Sequence, residues 1–195
     1  MLTSTEYKTY WEKGISYAEY LLRFEKELKE GTATTHADKL PINWQRASRI
    51  NKNFVLEEDS IESLTNLVHK RYWLVISEHW CGDSAQIIPV MNKIAESSHE
   101  KIELRFVYRD ENLHLIDSHL FNGGRSVPKL IQFNKDFDVT GEYGPRPAMA
   151  QKLVMELKSN PATAEKYSDE LHKWYAKDQQ VQIQRELMEF ISKLD

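Results

Sequence analysis

Tyr72-Trp-Leu-Val-Ile-Ser77 and Trp80-Cys-Gly-Asp-Ser84 are separated by two residues, and together they predict the architecture of the middle of the chain. The first stretch is short, apolar and rich in β-branched and aromatic residues, which predicts a buried strand. Apolar residues then recur at helical spacing over about residues 84–98, so a helix is predicted after the break at Cys81-Gly82-Asp83. The single cysteine of the chain therefore lies between a buried strand and a helix.

Residues 72–158 predict the element order β-α-β-α-β-β-α. A second strand follows over 102–108, where apolar and polar residues alternate, and a short helix over 112–121. Two further runs flank Asn134-Lys-Asp136 and predict an antiparallel hairpin, after which Pro147 can occupy the first position of a last helix. Because a strand–helix–strand unit joins parallel strands with the helix packed on the sheet, this order predicts an α/β fold.

Both ends of the chain are predicted to be helical. Apolar residues line up one helical face within residues 5–30 and recur at helical spacing in the tail. The apolar face of the tail is expected to dock on its own domain, and the alternative is a homodimer formed through the C-terminal helix. We predict one domain over residues 1–195, with a core at about 56–158 and helical extensions at 1–55 and 159–195.

The composition indicates a soluble globular protein and excludes several kinds of site. Hydrophobic residues make up 41% of the 195 residues and the formal net charge is −4, so neither nucleic acid nor a membrane is expected as a partner. No stretch approaches the roughly 20 apolar residues of a transmembrane helix, and the first residues do not resemble a signal peptide, so we expect a cytoplasmic protein. One cysteine excludes an intramolecular disulfide, an all-cysteine metal site within one chain and a dithiol cycle within one subunit.

Cys81 is predicted to be a reactive thiol because it lies at the start of a helix. Unpaired backbone N–H groups and the helix dipole favour the thiolate there. Asp83 opposes this effect by like charge, but a solvated carboxylate is screened, and we expect a pKa of about 7–8, below the roughly 8.5 of a free cysteine. His79 is a candidate partner for the thiolate, although histidines at strand ends more often face solvent. The side chains interpreted as surface residues are those of His114, His119 and Arg125.

Together these features resemble the thioredoxin family. The shared features are Trp80-Cys-Gly after a buried strand, Pro89 eight residues past the cysteine, and Arg125-Ser-Val-Pro128 at the start of the next antiparallel strand. The resemblance covers about half the chain, and it implies a three-layer α/β/α thioredoxin-like fold with extra N- and C-terminal helices. The blocks Glu78–Asp83 and Arg109–Asn112 also resemble a bacterial thioredoxin-like subgroup with helical extensions at both ends.

The resemblance also implies where a substrate binds. It implies a cis Val127–Pro128 bond that packs Pro128 beside the sulfur of Cys81. In the family, the backbone of Val127 would pair with an extended peptide, which is a form of strand addition. The implied substrate groove is shallow and is formed by Trp80, Val127, Pro128, Tyr143 and Gly144.

Two departures from the family limit the predicted chemistry. Family dithiol enzymes carry a second cysteine where this chain has Ser84, and often a buried acid where it has Val75. A single thiol attacks a disulfide and forms a mixed disulfide, but it cannot resolve that adduct alone. We therefore predict a monothiol thiol–disulfide oxidoreductase, with Cys81 as nucleophile and Ser84 hydrogen-bonded to its thiolate. The predicted partners are protein or low-molecular-weight disulfides and an external thiol reductant, and no cofactor is predicted.

Two other functions stay open on the sequence alone. Ser84, Val75 and the helical extensions are also compatible with a non-catalytic thioredoxin-fold binding module. Cys81-Gly-Asp-Ser84 is similar to the Cys-Gly-Phe-Ser of monothiol glutaredoxins, in which two subunits and two glutathiones hold an iron–sulfur cluster. Trp80 and Pro89 fit thioredoxin better than glutaredoxin, so the iron–sulfur carrier is the less favoured alternative.

Overall fold

The computed structural model describes residues 2–31 and 36–193 and has a mixed four-stranded sheet at its centre. The strands are β1 (Arg71–Ser77), β2 (Ile102–Tyr108), β3 (Lys129–Phe133) and β4 (Val139–Tyr143). Their order across the sheet is β2-β1-β3-β4, with β2 parallel to β1 and β3 antiparallel to both of its neighbours. The strand that precedes Cys81 therefore lies inside the sheet, as its apolar sequence predicts.

Helices lie before, between and after these strands. The α-helices of the described residues are α1 (Ser4–Lys13), α2 (Tyr17–Glu30), α3 (Leu40–Asn53), α4 (Glu58–Thr65), α5 (Gly82–Ser97), α6 (Leu113–Asp117), α7 (Ala148–Ser159), α8 (Tyr167–Asp178) and α9 (Val181–Ser192). The order from β1 to α7 is β-α-β-α-β-β-α, so the predicted order is confirmed. The helix expected over 112–121 is shorter than predicted, because the chain leaves the helix after Asp117.

Alternate residues of β1 reach two separate cores, one on each face of the sheet. Trp73 and Val75 belong to a first core that also contains side chains from α2–α5 and α7–α9. Leu74 and Ile76 belong to a second core that contains side chains from α1 and α6. Successive strand residues point to opposite faces, so a strand that is apolar throughout needs a helical layer on each side. This arrangement confirms the three-layer α/β/α architecture.

The N-terminal segment forms two helices: α2 carries the helical face expected within residues 5–30 and ends before Gly31, but the helical segment is broken at residues 14–16. Between α1 and α2, Ile15 pairs with Phe106 through two backbone hydrogen bonds of 2.9 Å and extends the sheet beside β2. The chain approaches β2 closely here, since a Cβ on Gly14 would lie 2.9 Å from the Cβ of Arg105. The break comes from a tertiary contact that helical periodicity does not report.

The C-terminal extension docks on its own domain, as expected. Its helices bury apolar residues in the first core, namely Leu171, Tyr175, Ile183, Leu187 and Ile191. Phe190 lies so close to β4 that a Cβ on Gly141 would come within 2.6 Å of its ring. The homodimer through this segment stays a prediction. Within residues 2–31 and 36–193, no helix combines the length and apolarity that crossing a membrane requires.

Candidate thiol site

Cys81 lies where the sequence places it, between β1 and α5. It is the residue directly before α5, and its carbonyl oxygen accepts a hydrogen bond of 3.2 Å from the backbone N–H of Ala85. Its side chain belongs to the second core, and only 8% of the residue is exposed. The thiol therefore lies at a helix N-terminus, but it is enclosed rather than open to solvent.

The thiol faces the peptide bond between Val127 and Pro128. This bond is cis, as the family resemblance implies. The thiol of Cys81 donates a hydrogen bond of 3.1 Å to the carbonyl oxygen of Val127, which is itself buried. The candidate nucleophile is thus in direct contact with the backbone that the resemblance assigns to substrate binding.

The loop between β4 and α7 lies against Pro128. Its Gly144–Pro145 bond is also cis, a feature for which the sequence carries no signal. Gly144 has a φ of +108°, and a Cβ on it would lie 2.3 Å from the carbonyl oxygen of Pro128. Only glycine fits both this backbone conformation and this contact.

Of the two aromatic residues assigned to the groove, one packs beside the thiol and the other does not. Trp80 is partly buried against the second core, and the guanidinium carbon of Arg109 lies 4.7 Å from the centre of its ring. Tyr143 packs instead against the first core, with its ring centre 6.4 Å from that of Phe190. The ring of Tyr143 therefore faces the C-terminal extension, while Val127 shares the second core with Cys81 and Gly144 lies against Pro128; the groove itself stays a prediction.

Ser84 ends a chain of buried hydroxyl groups that leads to the sulfur. The hydroxyl of Tyr20 lies 3.0 Å from Ser77 Oγ, and Ser77 donates a hydrogen bond of 2.9 Å to Ser84 Oγ. The proton of Ser84 is then free to point towards Cys81, and hydrogen bonding from Ser84 lowers the pKa of the thiol. This position suits the predicted role of Ser84, which stays a prediction.

The pKa expected for Cys81 is wrong in direction. Burial, together with the negative charge of Asp83, raises the pKa of the thiol to about 11. Hydrogen bonds from Ser84 and the start of α5 oppose this rise but do not offset it. The expectation of about 7–8 assumed a solvated thiol and a screened carboxylate, and both groups are buried.

Asp83 is held by two partners from distant parts of the chain. Its Oδ2 lies 2.7 Å from Nη2 of Arg146, and its Oδ1 accepts a hydrogen bond of 2.7 Å from the hydroxyl of Tyr175. Burial raises the pKa of Asp83, while Arg146 and Tyr175 both favour the charged form and oppose that rise. A charge two residues from the thiol is thus buried and paired instead of being screened by water.

His79 is buried and is engaged away from the thiol. Its ring stacks on that of Phe24 with centres 4.4 Å apart and an interplanar angle of 6°. Its Nε2 lies 3.2 Å from the hydroxyl of Tyr108, and its Nδ1 lies 3.1 Å from a carboxylate oxygen of Glu27. The expectation that this histidine faces solvent is wrong, and its ring nitrogens face Tyr108 and Glu27 rather than Cys81.

The other side chains interpreted as surface residues divide into two kinds. Arg125 is exposed and pairs with Asp117 through contacts of 2.6 and 2.8 Å, as expected for a solvated arginine. His114 lies in an exposed contact with Tyr10 at 3.5 Å. His119 is buried, with Tyr7 and Glu142 on its two ring nitrogens, so the expectation of exposure is wrong for it.

Several residues around the thiol had no signal in the sequence. Arg146 and Tyr175 reach Asp83, and His172 lies over Gly82, where a Cβ would come within 2.6 Å of its Nε2. They were missed because they come from the loop after β4 and from the C-terminal extension, far from Cys81 along the chain. Within the described ranges, no group of three His, Cys, Asp or Glu side chains is placed to hold a metal ion.

Comparisons with known proteins agree with this fold. A protein of unknown function from Pseudomonas aeruginosa has a similar structure, with a TM-score of 0.65 and 15% identity over 100% of both chains. An engineered HIV epitope scaffold has a TM-score of 0.56 and 16% identity, over 74% of this chain and 80% of the scaffold. No curated protein matches the chain significantly. The sequence model of the family described as thioredoxin matches residues 32–166, more than two thirds of the sequence, and the chain therefore belongs to the thioredoxin family.

Proposed function

We propose that this protein is a monothiol thiol–disulfide oxidoreductase, with Cys81 as its nucleophile and Ser84 as the group that hydrogen-bonds its thiolate. The main support is the 3.1 Å contact between the Cys81 thiol and the carbonyl oxygen of Val127. A disulfide-bearing peptide that paired with the backbone of Val127 would bring its sulfur to Cys81. Membership of the family supports the fold, and the activity is inferred from this geometry.

The reaction consists of two exchange steps. The thiolate of Cys81 attacks one sulfur of a substrate R–S–S–R′, so that a Cys81–S–S–R bond forms and R′–S⁻ leaves and takes up a proton. An external thiolate R″–S⁻ then attacks the R sulfur, which releases R–S–S–R″ and restores the thiolate of Cys81. The external thiol replaces the cysteine that would stand at Ser84 in a dithiol enzyme. A reducing compartment such as the cytoplasm supplies such thiols.

The raised pKa of Cys81 limits the rate of this reaction at neutral pH. With a pKa of about 11, roughly one thiol in 10,000 is ionised at pH 7, against about 3% for a free cysteine. Only the thiolate attacks a disulfide at a useful rate. We therefore expect slow exchange at pH 7, with a rate that rises about tenfold for each pH unit up to about pH 10.

The first test is the formation of a mixed disulfide. The protein is incubated with glutathione disulfide at pH 7 to 10, and intact mass is measured before and after an external dithiol is added. We expect one glutathione adduct on the wild type that the dithiol removes. Val75→Ala, a substitution in the buried core that leaves Cys81 in place, is the control and should form the same adduct as the wild type. Cys81→Ser should form no adduct. An adduct that forms only in denaturant would contradict the proposal.

A second candidate function is a thioredoxin-fold binding module without thiol chemistry. The specific observation in its favour is the enclosure of Cys81, with its raised pKa and its thiol proton donated to Val127. In that case Cys81→Ser keeps every partner of the wild type, and covalent trapping captures none. Comparing pull-downs of the two proteins, with and without a reducing wash, separates this function from the first.

A further inference from the structure

The helix α8 contacts the two residues that directly follow the thiol. The ring of His172 lies against Gly82, since a Cβ on Gly82 would come within 2.6 Å of its Nε2. One turn later along α8, the hydroxyl of Tyr175 donates a hydrogen bond of 2.7 Å to Asp83. α8 therefore covers the N-terminus of α5, where unpaired backbone N–H groups would otherwise meet water.

The carboxylate of Asp83 joins this helix to the substrate side of the site. Arg146, which lies 2.7 Å from Oδ2 of Asp83, belongs to the same loop as Gly144. Gly144 in turn lies against the carbonyl oxygen of Pro128, beside the thiol. One buried carboxylate thus connects α5, the loop after β4 and α8.

The position of α8 in the sequence sets it apart from the family core. The match to the family ends at residue 166, and α8 begins at Tyr167. The ring of Tyr175 is fully buried in the first core, so its hydroxyl can be removed while its packing is kept. The contacts with Gly82 and Asp83 therefore come from a helix that lies outside the residues that the family model matches.

We propose that α8 is a latch on the thiol site, in which His172 and Tyr175 hold Gly82 and Asp83 away from water, and that disulfide exchange proceeds from a state in which this latch is open. The inference rests on the proposed function, because it assigns a regulation of the same thiol. Opening the latch admits water to the start of α5 and to Asp83. The carboxylate is then screened and the helix N-terminus can stabilise the thiolate.

Protonation of His172 does not open the latch near neutral pH. Burial, together with the positive charges of Arg46 and Arg146, lowers the pKa of His172 to about 4. The imidazole is therefore neutral throughout the range in which Cys81 would react. The groups that face the latch are Arg46, Asp83, Gln86 and Arg146. The latch is expected to open by local unfolding of α8 or when a partner binds it.

The test uses alkylation of Cys81 by iodoacetamide, which forms a thioether and releases iodide without any disulfide exchange. The second-order rate is measured from pH 6 to 11 in the full chain, for the wild type, His172→Ala and Tyr175→Phe. We expect each variant to react at least tenfold faster at pH 7, with the pH midpoint moved down from about 11. The ceiling is about 300-fold, the ratio for a thiol that returns to its ordinary pKa of 8.5.

Tyr167→Phe is the matched control, because Tyr167 lies on the same helix but contacts Lys158. The Nζ of Lys158 lies 4.1 Å from the centre of the Tyr167 ring. The rate and pH midpoint of this variant should equal those of the wild type. Folded variants of His172 and Tyr175 that react as the wild type does would overturn the latch. So would a general acceleration that includes the control, since that indicates loss of stability alone.

Hydrogen exchange on the wild type keeps the proposal testable if both variants fail to fold. We expect the amides of α8 and residues 83–85 to exchange through a common local opening, faster than those of β1. Exchange of α8 only by global unfolding would overturn the latch. Faster alkylation without any disulfide exchange would instead refute the proposed function and leave the latch in place.

Discussion

Gly144 occupies a position that no other residue can take without a shift of the backbone. Its φ of +108° lies in a region that side chains disfavour, and its Cα faces the carbonyl oxygen of Pro128. A side chain here would push the loop after β4 away from Pro128 and the thiol. Gly123 also has a positive φ, of +76°, but no atom lies within 4 Å of the position of its Cβ.

The pair of glycines predicts different losses of stability for the same substitution. Gly144→Ala should lower the free energy of unfolding by about 3 kcal/mol or more, because backbone strain and a clash add. Gly123→Ala should lower it by only about 1–2 kcal/mol, since the strain acts alone. Urea denaturation of both variants measures the difference, and equal losses would mean that the contact with Pro128 is absent.

At this scale the position of Cys81 could be predicted from sequence, but its pKa could not. The position follows from a buried strand, a helix and two prolines, all of which are local signals. The pKa depends on whether Asp83 meets water, and one of the groups that buries it, Tyr175, lies 92 positions away. No local pattern in the sequence indicates such a distant partner, so the sequence alone predicts a solvated carboxylate at Asp83.

A series of contacting polar side chains, buried except for the more exposed Glu142, joins separate elements on the second-core side of the sheet. Tyr7 of α1 lies 2.9 Å from Nε2 of His119, and Nδ1 of His119 lies 2.7 Å from Glu142 of β4. Glu142 also pairs at 2.6 Å with Lys129 of β3, whose side chain is only 7% exposed. Hydrogen bonding from His119, together with Lys129, lowers the pKa of Glu142 to about 2.

The contacts of Glu142 predict that the stability of the protein falls as the pH is lowered. The folded state stabilises the charged form of Glu142, because its pKa is lower there than in the unfolded state. Its contribution is therefore fully present above the unfolded pKa of about 4.5 and is lost as the pH falls to about 2. Glu142→Gln should lower stability at pH 7 by about 1–2 kcal/mol, a value reduced for the side chain's partial exposure.

The measurement is urea denaturation of Glu142→Gln and the wild type at pH 7, 4.5 and 2.5. The two proteins should converge as the pH falls, because protonation removes in the wild type what the substitution has already removed. Glu156→Gln is the control, since Glu156 is 63% exposed and its pair with Lys152 spans 3.9 Å. A constant difference between wild type and Glu142→Gln at all three pH values would contradict this role.

For whole elements, local patterns predict existence better than extent. The four strands are where apolar runs and turn residues indicate them, because strand pairing and burial act on those same runs. The helical segment within 5–30 is divided before Tyr17 because Ile15 pairs with β2, and the helix after β2 ends early at Asp117. Both differences come from contacts between elements, which a helical period does not contain.

The C-terminal extension is part of the main core of the molecule. Leu187 of α9 is fully buried, in the same cluster as Trp73 of the central strand. Helices that share a core with the sheet are expected to unfold with it in one transition. Both α8, which forms the proposed latch, and α9, which follows it, therefore contribute to the stability of the fold.

Substitution of Leu187 tests this statement. Leu187→Ala should lower the free energy of unfolding by about 2–4 kcal/mol, because it leaves a cavity in the core. Val181→Ala on the same helix should change it by less than about 0.5 kcal/mol, since that side chain is 50% exposed. Urea unfolding followed by tryptophan fluorescence and by far-UV circular dichroism should give one shared midpoint for each protein. Separate midpoints would show that the extension unfolds on its own.

Because α8 comes late in the sequence, the Cys81 thiol is expected to be more reactive while the chain is being synthesised than in the finished protein. A ribosome delivers Cys81 and all four strands before it delivers His172 and Tyr175. Until those residues arrive, Gly82 and Asp83 meet water, and the thiol is in its more reactive environment. A nascent or C-terminally shortened chain is therefore expected to form mixed disulfides by exchange with cellular disulfides such as glutathione disulfide, a reaction that the finished protein resists.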